Sequence, residues 1–226
     1  MSQLLTHSLS GVLGLLALLG TAACNSATSG QKLPDPSVDA TLSKNSRPQT
    51  AVLAGGCFWG VEGVFQHVKG VTNVTAGYSG GLANTANYET VSTGRTGHAE
   101  SVRITYDPSK ISYGQLLKVF FSVAHDPTEL NRQGPDDGTQ YRSAIFYAND
   151  EQRRIAQSYI DQLQRSHAFK QPIVTQVAAL KAFYPAEAYH QDYLIHHPDN
   201  PYIVINDLPK IRDLHRELPD LYVAGN

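Results

Sequence analysis

The chain has 226 residues, 41% of them hydrophobic, which is enough for one well-buried domain with some length to spare. Its formal net charge is −2 and its Lys and Arg residues are evenly spread, so no basic surface for a nucleic acid is expected. The only cysteines are Cys24 and Cys57, which excludes a disulfide framework and a multi-cysteine zinc site.

Residues 1–24 are predicted to be an export segment. The apolar run from Gly11 to Leu19 has about the length of a signal-peptide core and is too short to span a bilayer. It leads into Thr21-Ala22-Ala23-Cys24, which resembles a bacterial lipoprotein cleavage box, although residues 1–7 lack Lys and Arg. We expect export to the periplasm or cell envelope and membrane anchoring through a lipidated Cys24. The alternative is an ordinary cleavage site, at which Cys24 has no role.

Residues 25–49 are predicted to be a flexible tether. They are rich in Ser, Thr, Asn, Pro and Gly and show almost no apolar periodicity, as a linker to an anchored domain would. The folded domain is therefore expected over residues 50–226.

Apolar periodicity within this domain predicts alternating strands and helices. Besides the strand at Ala51–Ala54 and the helix that follows Cys57, strands are expected at 71–78, 102–106, 144–147 and 173–180. Helices are expected after Ser112, which forms a capping box with Gln115, after Asn149, and over 187–195 and 207–218. The order predicts an α+β fold, a ferredoxin-like two-layer sandwich with one mixed or antiparallel sheet, helices on one face and extra C-terminal segments.

The segment Gly55-Gly56-Cys57-Phe58-Trp59-Gly60 indicates a nucleophile. It reads as the end of a strand, a tight glycine turn and the start of a helix. A thiol at a helix N-terminus faces unpaired N–H groups and the positive end of the helix dipole, which favour the thiolate. The two aromatic rings that follow the sulfur could hold an apolar group against it.

Glu100 is a candidate proton donor for such a nucleophile. It enters the strand at Val102 after a glycine-rich turn, where a carboxyl could lie beside the cysteine at a sheet edge. Desolvation there would raise its pKa and allow it to donate a proton near neutral pH. The alternative is a Glu100 that simply faces solvent, as isolated glutamates usually do.

Other candidates have equally ordinary explanations. Tyr88 and Tyr141 are two of twelve tyrosines, which commonly serve in packing. Asp136 lies in a Pro-Asp-Asp-Gly turn, and Phe58 and Trp59 could be core residues. These residues alone indicate a cysteine enzyme whose reaction is open.

Two further classes of function fit the same residues. One is a cysteine hydrolase or acyltransferase with His98 or His190 as the base, and the other is a non-catalytic exported binding lipoprotein. A metal site is not expected, because Glu187 and His190 form only half of a carboxylate metal motif and no second half exists.

Several motifs, in the same order, resemble the A-type peptide methionine sulfoxide reductase family over residues 50–200. They are Gly-Cys-Phe-Trp-Gly at 56–60, Tyr-Glu-Thr-Val at 88–91, Gly-His-Ala-Glu at 97–100, Asp-Asp-Gly-Thr-Gln-Tyr-Arg-Ser at 136–143, and the stretch 183–191. The resemblance implies reduction of methionine S-sulfoxide, as well as the ferredoxin-like fold.

The resemblance also assigns a role to each candidate residue. Cys57 would attack the sulfoxide sulfur and become a sulfenic acid, while Glu100 would donate a proton to the sulfoxide oxygen. Tyr88 and Tyr141 would hydrogen-bond that oxygen. Phe58 and Trp59 would bind the methyl group. Asp136 would steady the substrate or assist the later reduction.

One departure from the family concerns recycling of the oxidised cysteine. Many members carry a resolving cysteine near the C-terminus, whereas no cysteine follows Cys57 here. We therefore expect an external thiol, such as a thioredoxin-like protein, to reduce the sulfenic acid without a bound cofactor. The expected enzyme is a monomer that acts on oxidised proteins or free methionine sulfoxide.

Overall fold

The structure is a computed structural model and describes residues 32–45 and 47–224. Cys24 and the predicted export segment lie outside these ranges, so export and lipidation stay predictions. Among the residues within them, none of the helices has the length and apolar character needed to cross a membrane.

The elements follow one another in the order that the strand and helix patterns predict, with additional short pieces. They are β1 (Gln49–Ala54), α1 (Phe58–Gln66), β2 (Val71–Ser79), α2 (Tyr88–Val91), β3 (Ala99–Tyr106), α3 (Tyr113–Val119), β4 (Arg132–Gln133), β5 (Asp136–Asp137), β6 (Ala144–Tyr147), α4 (Asp150–Arg165), β7 (Gln176–Ala179), β8 (Phe183–Pro185), α5 (Tyr193–His196) and α6 (Leu208–Glu217). π-helical turns at Phe120–Ala124 and Ile203–Asp207 adjoin α3 and α6.

One six-stranded mixed sheet organises the domain, which confirms the α+β class. Its strand order is β7-β6-β1-β3-β2-β8, and every neighbouring pair is antiparallel except β6 and β7. Strands β4 and β5 form a separate two-stranded hairpin.

The helices bury one face of this sheet. In β1, Ala51 and Leu53 join the large core cluster, whereas Val52 and Ala54 point to a small cluster on the opposite face. This alternation follows from the two-residue period of a strand. The large cluster contains apolar residues of α1, α3 and α4, so these helices lie on the same side of the sheet.

Two predicted elements are shorter than expected. The strand predicted over 173–180 is confined to Gln176–Ala179, because the backbone at Val174 bonds to Pro127 instead of to the sheet. The helix predicted over 187–195 is wrong: only a 3₁₀ turn at Ala188–His190 and the four-residue α5 form. Asp192 interrupts the segment with a positive φ of 54°, outside the right-handed helical region.

The flexible-tether prediction is wrong for residues 32–45, which lie against the domain. Leu33 is buried in the core cluster, and the carbonyl of Pro34 accepts a hydrogen bond from the Tyr159 hydroxyl at 2.9 Å. Asp39 accepts hydrogen bonds from Ser112 and from the backbone N–H of Gly114, at the start of α3. Composition indicated a linker because these contacts come from a few spaced side chains and not from a periodic apolar stripe.

We predict that Asp39→Ala lowers the free energy of unfolding by about 1 kcal/mol, because the start of α3 loses an acceptor for its backbone N–H groups. Urea denaturation of the full chain measures the effect. Asp220→Ala, which removes a carboxylate from an exposed site, is the matched control and should leave the midpoint unchanged. Equal midpoints for the two variants would contradict a stabilising role for residues 32–45.

Candidate active site

A tight turn places Cys57 at the N-terminus of α1, as the strand–turn–helix pattern predicts. The turn needs glycine at position 56, where φ is +94° and a Cβ atom would lie 2.5 Å from the Gln133 side chain. Cys57 is the N-cap residue, and α1 begins at Phe58. The sulfur therefore lies beside backbone N–H groups that have no partner within the helix.

Glu100 lies beside the same helix terminus, inside the protein. Its side chain is 2% exposed, and its Oε2 accepts a hydrogen bond from the backbone N–H of Phe58 at 3.1 Å. Burial raises the pKa of Glu100 to about 8, against the opposite influence of the Phe58 N–H, and the charge of Asp136 adds to the rise. The alternative of a solvent-facing Glu100 is therefore wrong.

The pKa of the Cys57 thiol differs from the sequence-based prediction. Burial is the largest influence and raises the pKa of its thiol well above the ordinary value, and the carboxyls of Glu100 and Asp207 raise it further. The backbone N–H of Trp59 and the charge of Lys210 act in the opposite direction but are weaker. The prediction of a favoured thiolate is wrong, because the helix terminus does not compensate for lost hydration.

Tyr88 and Tyr141 lie near this pair and come from two different elements. Tyr88 begins α2, and Tyr141 ends a 3₁₀ turn at Thr139–Tyr141. Burial raises the pKa of both hydroxyls, and Glu100 is the next largest cause for each. Both hydroxyls therefore keep their protons at physiological pH and can donate hydrogen bonds.

Asp136 contacts a residue that the sequence did not indicate. Its carboxylate accepts a hydrogen bond from the hydroxyl of Tyr202, and burial followed by the nearby Cys57 raises the pKa of that hydroxyl. Asp136 lies in the β4–β5 hairpin, whereas Tyr202 precedes the π-helical turn before α6. No local signal distinguishes Tyr202 among twelve tyrosines.

Phe58 and Trp59 lie in an aromatic cluster. Phe58 is 1% exposed and belongs to the core cluster, 5.1 Å from the ring of His190. Trp59 is partly buried; its ring stacks on Tyr193 at 3.7 Å and meets Tyr202 edge-on at 5.9 Å. Both rings thus belong to the packed interior and also adjoin the nucleophile.

Comparison with known proteins decides the family. The profile of the family described as peptide methionine sulfoxide reductase matches residues 49–220. The chain belongs to this family.

Relatives and solved structures agree with this assignment. A reductase named MsrA 2 from Mesorhizobium japonicum is 65% identical, covering 77% of this chain and 89% of the relative. A reductase of the same name from Synechocystis is 55% identical, and the match covers 83% of this chain and 89% of that relative. The crystal structure of reduced Mxr1 from Saccharomyces cerevisiae matches with a TM-score of 0.62, 33% identity and coverage of 68% and 87%. The structure of methionine sulfoxide reductase A of Corynebacterium diphtheriae matches with a TM-score of 0.60 and 34% identity, and the match covers 74% of this chain and 85% of that one.

The chain is thus an oxidoreductase of methionine sulfoxide, and within the described residues neither His98 nor His190 forms the hydrogen bond to Cys57 that a cysteine hydrolase needs. Both ring nitrogens of His98 contact the backbone, of Gly81 at 3.2 Å and of Leu82 at 3.0 Å. The Nδ1 atom of His190 accepts a hydrogen bond from the Trp59 indole at 3.2 Å. Over the described part of the chain, no group of three or more His, Cys, Asp or Glu residues is placed to hold a metal ion.

The sequence patterns also gave no sign of an ion pair between buried Asp207 and partly buried Lys210 of the reductase. Asp207 is fully buried, and one of its oxygens lies 3.1 Å from the Lys210 ammonium. Both residues influence the pKa of Cys57, although they follow it by 150 or more positions in the sequence. An i, i+3 Asp–Lys spacing is common on helix surfaces, so the pair carries no distinctive local signal.

We predict that Glu100→Gln lowers the pH midpoint of Cys57 alkylation, because glutamine cannot ionise and no longer opposes the thiolate. The measurement is the pH profile of iodoacetamide labelling in a Cys24→Ser background, where Cys57 is the only thiol. Glu89→Gln, which neutralises an exposed carboxylate, is the control and should not shift the midpoint. A Glu100→Gln midpoint equal to that of the parent would contradict electrostatic contact between the two groups.

Proposed function

We propose that this reductase acts on the S epimer of methionine sulfoxide, free or in proteins, with Cys57 as nucleophile and Glu100 as acid. The observation that carries the proposal is the buried Glu100 carboxyl, which is bonded to the first N–H of α1 beside Cys57. With a pKa of about 8, Glu100 holds its proton at neutral pH and can donate it.

The proposed reaction balances without a bound cofactor. The Cys57 sulfur bonds to the sulfoxide sulfur as Glu100 protonates the oxygen, and the sulfur–oxygen bond of the substrate breaks so that hydroxide leaves. Hydroxide then adds to the Cys57 sulfur while the sulfur–sulfur bond breaks, and methionine leaves with that electron pair. The net products are methionine and a Cys57 sulfenic acid, so the methionine sulfur gains two electrons and the Cys57 sulfur loses two. The proton that the Cys57 thiol releases restores Glu100 over the cycle.

Hydroxyl donors stabilise the oxygen during this step. Tyr88 and Tyr141 hold their protons and lie within electrostatic influence of both Glu100 and Cys57. Each such donor contributes on the order of 3 kcal/mol when water is excluded. Asp136, bonded to Tyr202, steadies the substrate or assists the later reduction.

The aromatic rings account for recognition of the methyl group. Phe58 and Trp59 follow the nucleophile directly; Phe58 lies in the core cluster that also contains Cys57, and Trp59 packs against that cluster. A sulfoxide whose oxygen faces Glu100 and the tyrosines has one position left for its methyl group, against these rings. The opposite epimer would exchange its lone pair and oxygen, so a site of this kind selects one epimer, and membership of the A-type family supports the S form.

Recycling uses an external thiol. No cysteine follows Cys57 in the chain, so we propose that a first thiol of a thioredoxin-like protein, or of a small molecule, forms a mixed disulfide and releases water. A second thiol then frees Cys57 and leaves the reductant as a disulfide. The enzyme would work in this way as a monomer, exported to the cell envelope and anchored through Cys24.

We also infer a ferredoxin-like core within the sheet. In support, β1, β2, β3 and β6 occur in the order β6-β1-β3-β2, all antiparallel, with α1 after β1 and α3 between β3 and β6. Strands β7 and β8 then extend the two edges of this core.

We predict that the protein reduces S but not R methionine sulfoxide peptides with dithiothreitol, and that Cys57→Ser abolishes turnover. The measurement is methionine formation from resolved epimers by mass spectrometry. Cys24→Ser is the matched control, and it should keep full turnover because recycling does not use Cys24. Reduction of neither epimer would refute the proposed function, and loss of turnover in Cys24→Ser would refute the recycling scheme.

We predict that the single-turnover rate falls as the pH rises through about 8, because Glu100 loses the proton it must donate. Below that pH the carboxyl is protonated, so this cause of inhibition is absent. Glu100→Gln should be slower by about 10²-fold or more and should lack the falling limb. A falling limb that persists in the glutamine variant would assign it to another group.

A further inference from the structure

The chain segment 186–193 fixes the surroundings of Trp59. Tyr193 stacks on the indole with an angle of 7° between the rings, and the Nδ1 atom of His190 accepts the indole N–H at 3.2 Å. Trp59 therefore has a polar contact and a flat packing partner, both supplied by this one segment.

The segment has little regular structure of its own to hold it in place. It consists of a 3₁₀ turn, the positive-φ residue Asp192 and the start of the four-residue α5. Side chains and backbone from other elements fasten it instead. The Gln191 side chain bonds to both backbone groups of Ala76 in β2, at 2.9 and 3.0 Å, and Gln66 of α1 donates to the Asp192 carboxylate at 2.6 Å.

Glu62 of α1 is a buried residue that also holds this segment in place. Its side chain is 1% exposed, and its Oε2 accepts a hydrogen bond from the backbone N–H of Asp192 at 3.0 Å. Its other oxygen is buried without a hydrogen-bond partner. Burial, with a smaller contribution from Asp192, raises the pKa of Glu62 to about 8, so the carboxyl is neutral at physiological pH.

The position of Glu62 on α1 connects it to the site. It follows Phe58 by four residues and Trp59 by three, so all three side chains lie on neighbouring parts of the same helix surface. A hydrogen bond from Glu62 to the residue before Tyr193 therefore closes a short loop of contacts. It runs from α1 to Asp192, through the Tyr193 ring to Trp59, and back to α1.

We propose that Glu62 is a positioning residue for substrate binding, which acts by holding Tyr193 against Trp59. The proposal rests on the proposed function, in which Trp59 binds the methyl group of the sulfoxide. Glu62 neither donates a proton nor touches the reacting atoms. It accepts the backbone N–H that sets where α5 begins, and thereby fixes the indole face of the methyl pocket.

The test compares Glu62→Ala with Glu62→Gln, whose amide oxygen can still accept the Asp192 N–H. We expect the alanine variant to raise KM for methionine sulfoxide about tenfold with kcat changed less than about twofold. Trp59 is the only tryptophan, so its fluorescence reports directly on the stack with Tyr193 and should shift in the alanine variant. The glutamine variant should have the same KM and the same Trp59 emission as the parent protein.

Gln152→Ala is the matched control for a general loss of stability. Gln152 is also buried, and its side chain accepts a hydrogen bond from the Ala148 N–H at 2.8 Å and donates one to the Thr50 carbonyl at 2.8 Å on another part of the fold. This variant should lower the unfolding midpoint and leave KM and Trp59 emission unchanged. If Glu62→Ala also lowers only the midpoint, or if Glu62→Gln fails to restore KM, the proposal is overturned.

Two further outcomes are distinguished by the same measurements. If Glu62→Ala does not fold, Gln66→Ala removes the neighbouring bond to Asp192 and should shift KM and emission in the same direction; no shift would overturn the proposal. If the parent protein reduces no sulfoxide, the proposed function fails. Unchanged Trp59 emission in Glu62→Ala would then separately refute the positioning of Tyr193.

Discussion

The hydrogen bond from the Phe58 N–H to Glu100 joins the start of α1 to β3 and brings an acid and a thiol into one buried space. Two influences compete there. The helix terminus favours negative charge on both groups, whereas burial and their mutual repulsion oppose it. Burial prevails for both, since the pKa of Glu100 rises to about 8 and that of Cys57 rises well above its ordinary value. The resting pair is therefore neutral, with both protons retained.

A neutral pair suits a reaction that consumes and returns one proton. The sulfoxide oxygen requires an acid, and a permanently ionised Cys57 beside Glu100 would hold that carboxyl's proton more tightly. Two other carboxyl groups near the sulfur also have partners. Asp136 is bonded to Tyr202, and Asp207 is paired with Lys210. The charge of Lys210 lowers the pKa of Cys57 and so offsets part of the influence of Asp207.

Local patterns predicted the parts of the site that adjoin in sequence. The glycine turn, the position of Cys57 and the entry of Glu100 into β3 follow from strand and helix signals near each residue. The thiol pKa was predicted in the wrong direction, because burial depends on distant elements that local sequence does not specify. Tyr202 and Tyr193 were missed for the same reason: each reaches the site through long-range packing of irregular C-terminal segments.

Close packing on α1 explains why those C-terminal segments can complete the site. At Gly60 a Cβ atom would lie 2.0 Å from an oxygen of Asp207, so only glycine admits the segment before α6 to this depth. Two residues further along α1, buried Glu62 bonds to the segment before α5. One nine-residue helix therefore carries the nucleophile at its end and docking points for two segments along its side. Chemistry at Cys57 and recognition at Trp59 share this rigid support, so a change that displaces α5 alters recognition first and leaves the Cys57–Glu100 pair in place.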